Sequence, residues 1–236
     1  TTTASTTTTT PATKTKATQI AAATASQRAL PPVLAHYMPW FQFDAGASKA
    51  GWHWTMNYED PRVDLFGPLP RVAAHTTPLI GPYDSKDRRV IRYHLELMRL
   101  SGIRGLVINW YGTRSAKDYG LNLQASDVIV DECVKAGMLF TVCYEDWTVV
   151  DGVQWGQRPE GETLKRAQEQ LKLDFEYLRD SYMSRQGFLR TEAEGTAGRP
   201  LLLCFGPRTL RETEDWESML SIVFPEEATR PLILSL

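Results

Sequence analysis

One apolar run in this chain ends in two carboxylates and two large aromatics, Tyr144-Glu145-Asp146-Trp147. Side chains alternate along a strand, so if Phe140, Val142 and Tyr144 face one way, Thr141, Cys143 and Glu145 face the other. Glu145 then stands at the mouth of whatever the strand helps enclose. A carboxylate accepts hydrogen bonds from hydroxyls, and Trp and Tyr offer flat faces with one polar handle, a combination suited to sugars. The rings available as platforms are Trp52, Trp54, Trp110, Tyr111 and Trp147. His53, between two tryptophans, is suited to bond a hydroxyl, as is Asn109 near the top of its own strand. His36 is expected to face the helices as a core histidine.

Glycoside cleavage needs a proton donor and a second carboxylate, about 5 to about 9.5 Å apart depending on stereochemistry. Glu145 and Asp146 are neighbours on a strand and point to opposite faces, so they are not that pair. Glu145 is left with a supporting role, holding a hydroxyl or tuning a partner's pKa, and Asp146 either lines the site or caps the turn that follows. A second acidic cluster, Glu214-Asp215-Trp216-Glu217, falls inside an amphipathic helix with Trp216 on the buried stripe, which leaves Glu214 and Glu217 on a solvated face.

These residues need a scaffold, and the chain alternates strand and helix patterns. A strand at Pro32 to Phe41 is followed by a long aromatic connection over 42–83. A helix then begins at an Asp84/Ser85 cap and stops at Gly102. Strands at 103–112, 141–147, 200–205 and 231–236 alternate with helices at about 126–136, 161–183 and from a Thr209-x-x-Glu212 capping box onward. Near-continuously apolar strands of this kind build parallel sheets covered by helices. Two α/β architectures fit, a (β/α)8 TIM barrel holding about its first five units here, or an open doubly wound five-stranded sheet. The absence of a Gly-x-Gly-x-x-Gly or Walker loop after any strand, and polar-aromatic ends on three strands, favour the barrel.

With 236 residues, 42% of them hydrophobic, and a net charge of −2, the composition is globular and gives no basic surface for nucleic acid or an anionic membrane. The three cysteines lack metal-ligand spacing and read as buried thiols, so no metal or cofactor is expected. No apolar run approaches the ~20 residues of a spanning helix. Residues 1–31, rich in Thr and Ala, read as a disordered linker to other modules, and 32–236 as a partial catalytic domain. Because the chain opens on Thr and not Met, a signal peptide or another module is expected to precede it, which points to a secreted, periplasmic or cell-surface protein.

Taken in order, His36-Tyr37-Met38-Pro39-Trp40-Phe41, Trp52-His53-Trp54, Pro82-Tyr83-Asp84-Ser85, Gly102 to Gly112 and Tyr144-Glu145 resemble the family 71/99-like glycoside hydrolases, which include endo-acting α-mannosidases and α-1,3-glucanases. The resemblance implies a (β/α)8 barrel acting on an α-linked polysaccharide or glycan in a cleft at the C-terminal ends of its strands. It implies sugar-lining roles for Tyr37, Trp40, Trp54, Trp110, Tyr111 and Glu145; Tyr83 is also expected among the substrate-binding residues. The sequence departs from family 99 after the glutamate, where Asp146-Trp147 replaces Pro-Tyr. The acid/base pair of that family lies on a later strand, past residue 236, so this stretch alone is expected to be inactive; the alternative is a non-catalytic carbohydrate-binding barrel.

Overall fold

The computed structural model describes residues 31–46, 49–56, 72–74, 76–154, 156–192 and 198–236. The expected linker therefore lies outside the described residues, apart from its last position. Five strands, β1 (Leu34–Tyr37), β4 (Gly105–Trp110), β5 (Leu139–Tyr144), β6 (Leu201–Cys204) and β7 (Leu232–Ser235), form one sheet in that spatial order. Every pairing is parallel. A doubly wound sheet reverses its strand order at a switch point. Here the order follows the chain without reversal, the winding of a barrel, so the open-sheet alternative does not hold.

Helices α2 (Arg88–Leu100), α3 (Tyr119–Ala136), α4 (Gly161–Tyr177) and α5 (Thr213–Val223) connect the strands. The core lies between them and the sheet: Leu106, Ile108 and Trp110 from β4, Phe140, Val142 and Tyr144 from β5 and Leu202 from β6 meet Ile91, Ile129, Leu171 and Met219. A large apolar side chain fully buried in such a layer contributes roughly 1.5–3 kcal/mol. The opposite strand face is therefore left for Asn109, Thr141, Cys143 and Glu145, as alternation required.

Three of the four helix starts depart from the expected ones, while α4 begins at Gly161 as expected. Asp87, not Asp84 or Ser85, caps α2, accepting from Arg89 N at 2.9 Å. Asp84 instead bonds Lys86 N at 2.7 Å, and Ser85 Oγ accepts from Phe41 N. Two turns earlier than expected, α3 begins at Tyr119, because tertiary packing overrides the weak helix formers Gly120 and Asn122. The capping box at Thr209 does not form, since α5 begins at Thr213 and Thr209 N is bonded to Asp146. At its C-terminus α3 stops at Gly137, whose φ of 64° is the left-handed conformation glycine supplies.

Three polar centres tie the helices to one another and, in one case, to the strand ends. Glu132, nearly inaccessible on α3, takes Arg88 and Arg92 of α2 and its own Lys135 at 2.6 to 2.9 Å. The Arg92 hydrogen bond leads in overcoming burial and draws its carboxyl down to about 2. Beyond Tyr177, α4 widens into a π-helical stretch, Leu178–Met183. Its i, i+5 spacing brings the Tyr177 and Tyr182 hydroxyls to the same oxygen of Asp127, at 2.7 and 2.8 Å. Asp174 of α4 accepts from Tyr144 Oη and from the backbone N–H of Thr113, both at 2.7 Å. Gly112, just before it, has φ of 82°, and a Cβ there would run into the Asp174 carboxylate. That turn after β4 thus admits only glycine.

The 42–83 connection contains more structure than the sequence suggested. A short antiparallel pair, β2 (Phe43–Asp44) and β3 (Lys49–Ala50), precedes a single helical turn, α1 (Trp52–Thr55). Residues 57–71 of the connection lie outside the described residues.

Candidate active site

The register of β4 against β5 pairs Asn109 with Cys143 and Trp110 with Tyr144. Asn109 and Glu145 share the face away from the helices at the C-terminal ends of neighbouring strands, and Asn109 Nδ2 donates to Glu145 Oε1 at 2.7 Å. Trp147, in the 3-10 turn that follows, donates its indole N–H to Glu145 Oε2. The carboxylate, 8% exposed, is thereby oriented by one donor on each oxygen. A carboxylate has about four acceptor positions, so roughly two remain for a ligand's hydroxyls.

Rings extend from this centre along the mouth. Tyr111 lies 6.0 Å edge-on to Trp147 and 5.2 Å from Tyr119, and on its other side 6.0 Å from Trp40. Burial, then the charges of Glu145 and Asp118, raise the Tyr111 phenol above its ordinary range, which keeps it a neutral donor. Trp40 stacks on His53, and Trp52 meets the edge of the same imidazole with its own ring 52% exposed. Lys117, held at φ 47°, places its ammonium 5.3 Å over Trp147 and 5.6 Å over Tyr119. Asn109, Tyr111, Glu145, Trp147, Trp40, His53 and Trp52 are therefore brought together on one side of the strand ends.

Five expected site residues are placed elsewhere. Trp110 is 1% exposed and packs in the helix-side core against Tyr144, Tyr177 and Tyr182. It shares parity with Leu106 and Ile108, so the alternation that puts Asn109 inward puts Trp110 outward. Trp54 is 2% exposed, spanning Phe41 at 4.3 Å and donating Nε1 to Tyr83 O at 2.8 Å. Each step along a helix rotates the side chain by about 100°, which is why Trp52, His53 and Trp54 point three ways. Tyr37 faces α2, its hydroxyl 2.9 Å from His94 Nδ1, and Tyr83 packs edge-on to that same His94 at 5.2 Å. Both phenols are raised by burial, Tyr83 to about 12.

Asp146 is the fifth. It is fully buried, and its two oxygens accept the backbone N–H groups of Arg208, Thr209 and Leu210 at 2.7 to 2.8 Å. Burial outweighs those three donors and holds its carboxyl above the usual range. It anchors the connection after β6, through bonds to residues 62 to 64 positions along the chain and not to the turn that follows it. His53 also differs from expectation: its Nε2 lies 3.1 Å from Asp118 Oδ2, so that nitrogen is committed within the protein.

The sequence reading missed His36 and Asp118. Tyr37 registers with Ile108 on the helix side, which turns His36 to the inner face with Val107, exposed and 3.3 Å from Asn109 Oδ1. In this four-residue edge strand both alternating sets mix polar and apolar types, so period-two patterning could not orient it. Asp118 would have been found by starting the helix at Tyr119. The acidic cluster on α5 behaves as expected, with Glu214 and Glu217 exposed and Trp216 donating to Leu210 O. Asp215, buried, is taken by Arg158 and Gln168. Among the described residues no group of three His, Cys, Asp or Glu is placed to hold a metal ion, and no helix is long and apolar enough to cross a membrane. All three cysteines are free and buried.

Sequential parallel strands with helices on one face, and a carboxylate-centred aromatic mouth at their C-terminal ends, define part of a (β/α)8 barrel of the kind that carries its site on that face. The chain is similar to the family 99 glycoside hydrolases. It is 24% identical over 201 residues to the mouse (Mus musculus) glycoprotein endo-alpha-1,2-mannosidase, a match covering 79% of this chain and 39% of that protein. Among solved structures it superposes on the family 99 endo-alpha-mannosidase from Bacteroides thetaiotaomicron with a TM-score of 0.57 at 19% identity, over 86% of this chain and 51% of the other. A glycoside hydrolase-like protein superposes with a TM-score of 0.56 at 13% identity, over 91% and 56%. The chain thus spans about half or less of the length of the relatives it matches. No protein-family model matches it.

Proposed function

We propose that this chain forms one wall of the glycan-binding cleft of a glycoside hydrolase that cleaves α-linked glycans, probing its substrate with Glu145 and the rings of Trp40, Tyr111, Trp147 and Trp52. The observation that carries the reading is the Glu145 carboxylate, oriented on both oxygens by Asn109 and Trp147 and flanked by part-exposed indoles. Such a group binds a hydroxyl without reorganising, and adjacent indoles supply the apolar contact a sugar ring needs. The mouse relative's name specifies endo action on α-1,2-mannose linkages, which makes α-1,2-linked manno-oligosaccharides the first ligands to try. The acid/base pair is proposed to come from a later strand, with Glu145 supporting it. A secreted, periplasmic or cell-surface setting, other modules joined through the Thr-rich segment and degradation of polysaccharide complete the proposal.

Titration calorimetry of the intact protein tests this. Saturable binding of α-1,2-linked mannotetraose, with β-1,4-linked glucotetraose at least about tenfold weaker, is the expected result, since one misplaced polar group costs on the order of 1.4 kcal/mol. Equal affinities, or none, would remove the reading. The same barrel wall would serve a non-catalytic binder, and release of reducing ends from an α-mannan decides for the hydrolase.

A further inference from the structure

The imidazole of His53 lies flat against the indole of Trp40, centroids 4.5 Å apart and planes 5° from parallel. Trp52 closes its edge at 4.8 Å and 81°. Its Nε2 reaches Asp118 Oδ2 at 3.1 Å, 65 positions along the chain, at the start of α3. His53 is buried, whereas Trp40 remains part-exposed beside Tyr111. One ring thus joins the connection after β1 to the helix that follows β4, with the exposed indole resting on it.

We infer that Asp118 and His53 form a positioning pair that fixes the Trp40 indole as a rigid wall of the cleft, and that His53 influences a glycan only through that indole. The binding part of this inference rests on the carbohydrate reading above; the positioning part does not. An indole on an irregular connection can turn about two side-chain bonds, and ordering it on ligand capture weakens affinity by roughly two- to tenfold. A parallel ring beneath it removes that freedom only if the lower ring is itself held. Asp118 holds it: a carboxylate accepting from Nε2 fixes both the tautomer and the plane of the imidazole. Although burial pushes the Asp118 carboxyl up, hydrogen bonding led by His53 prevails and keeps it below its ordinary value, so the acceptor stays ionised. Simple space-filling would predict something different, because a phenyl ring could then replace the imidazole without loss.

The test is a double-mutant cycle in the intact protein, read by titration with α-1,2-linked mannotetraose and by near-UV circular dichroism of the indole bands. His53→Phe, which keeps the stack and loses the anchor, should weaken binding about fivefold, within the ordering range above. Asp118→Ala should reproduce it, and Asp118→Asn, which retains an acceptor oxygen, should restore most of the affinity. In a Trp40→Ala background the His53→Phe change should cost nothing further, because the pair acts through that ring. Without any sugar, His53→Phe should alter the near-UV spectrum, and Trp40→Ala should abolish that difference. Additive losses in the cycle, or a spectrum that does not respond to His53→Phe, would overturn the inference. Should the wild type bind no α-linked glycan, the carbohydrate reading falls and the spectral comparison still decides the positioning role.

Discussion

Glu145→Gln weakens binding of an α-linked manno-oligosaccharide by about 10- to 100-fold, the equivalent of losing a hydrogen bond to a charged acceptor worth about 1.5–3 kcal/mol. The geometry explains why so conservative a change is so costly. Both carboxylate oxygens already accept from fixed donors, Asn109 Nδ2 and Trp147 Nε1. A carboxamide has one oxygen and one NH2, so whichever way it sits, its NH2 faces one of those donors and one pairing is lost. The side chain then turns away from the hydroxyl it should meet. Because a single pairing is lost, thermal unfolding should move less than in Asp146→Ala, which leaves three donors unpaired. The check is titration beside a melting curve: an unchanged dissociation constant removes Glu145 from the site, and a large drop in melting temperature shows that its role is structural.

Asp146→Ala acts in the opposite way. Asp146 is completely buried, and its removal leaves the N–H groups of Arg208, Thr209 and Leu210 facing an empty site. Each unsatisfied buried donor costs about 1–3 kcal/mol, and partial relaxation of the 206–210 segment recovers some of this, so a loss of roughly 3 kcal/mol is expected. For a domain near 200 residues that lowers the melting temperature by roughly 6 to 12 °C. Differential scanning calorimetry of the variant measures it, and a shift under about 2 °C would show that the three backbone bonds are readily replaced by water. Adjacent carboxylates just past one strand end thus divide the work, Glu145 toward the mouth and Asp146 into the packing beneath it.

Periodicity reveals what repeats and conceals what depends on partners. The long apolar strands β4 and β5 are unambiguous, and alternation correctly separates Phe140, Val142 and Tyr144 from Thr141, Cys143 and Glu145. The same rule, applied one residue further, would have sent Trp110 to the core; its chemistry as an aromatic platform obscured its parity. The edge strand β1 defeats the rule, since its orientation is set by pairing Tyr37 with Ile108 and not by its own composition. Tyr83 and Trp54 are aromatic for packing, a purpose that residue type cannot distinguish from stacking on a sugar. The function of Asp118 was invisible because its partner His53 is 65 positions away and meets it only after the fold closes. The Thr-rich segment falls outside the described residues, and its linker role rests on composition alone.

A crystal structure of the intact protein with bound α-1,2-linked mannotetraose tests the glycan-cleft proposal most directly. It should show a sugar ring against the face of Trp40 or Trp147 and a hydroxyl about 2.6–3.2 Å from Glu145, with Trp110 and Trp54 untouched in their buried positions. A ligand bound away from the strand ends, with Glu145 still held only by Asn109 and Trp147, would contradict it.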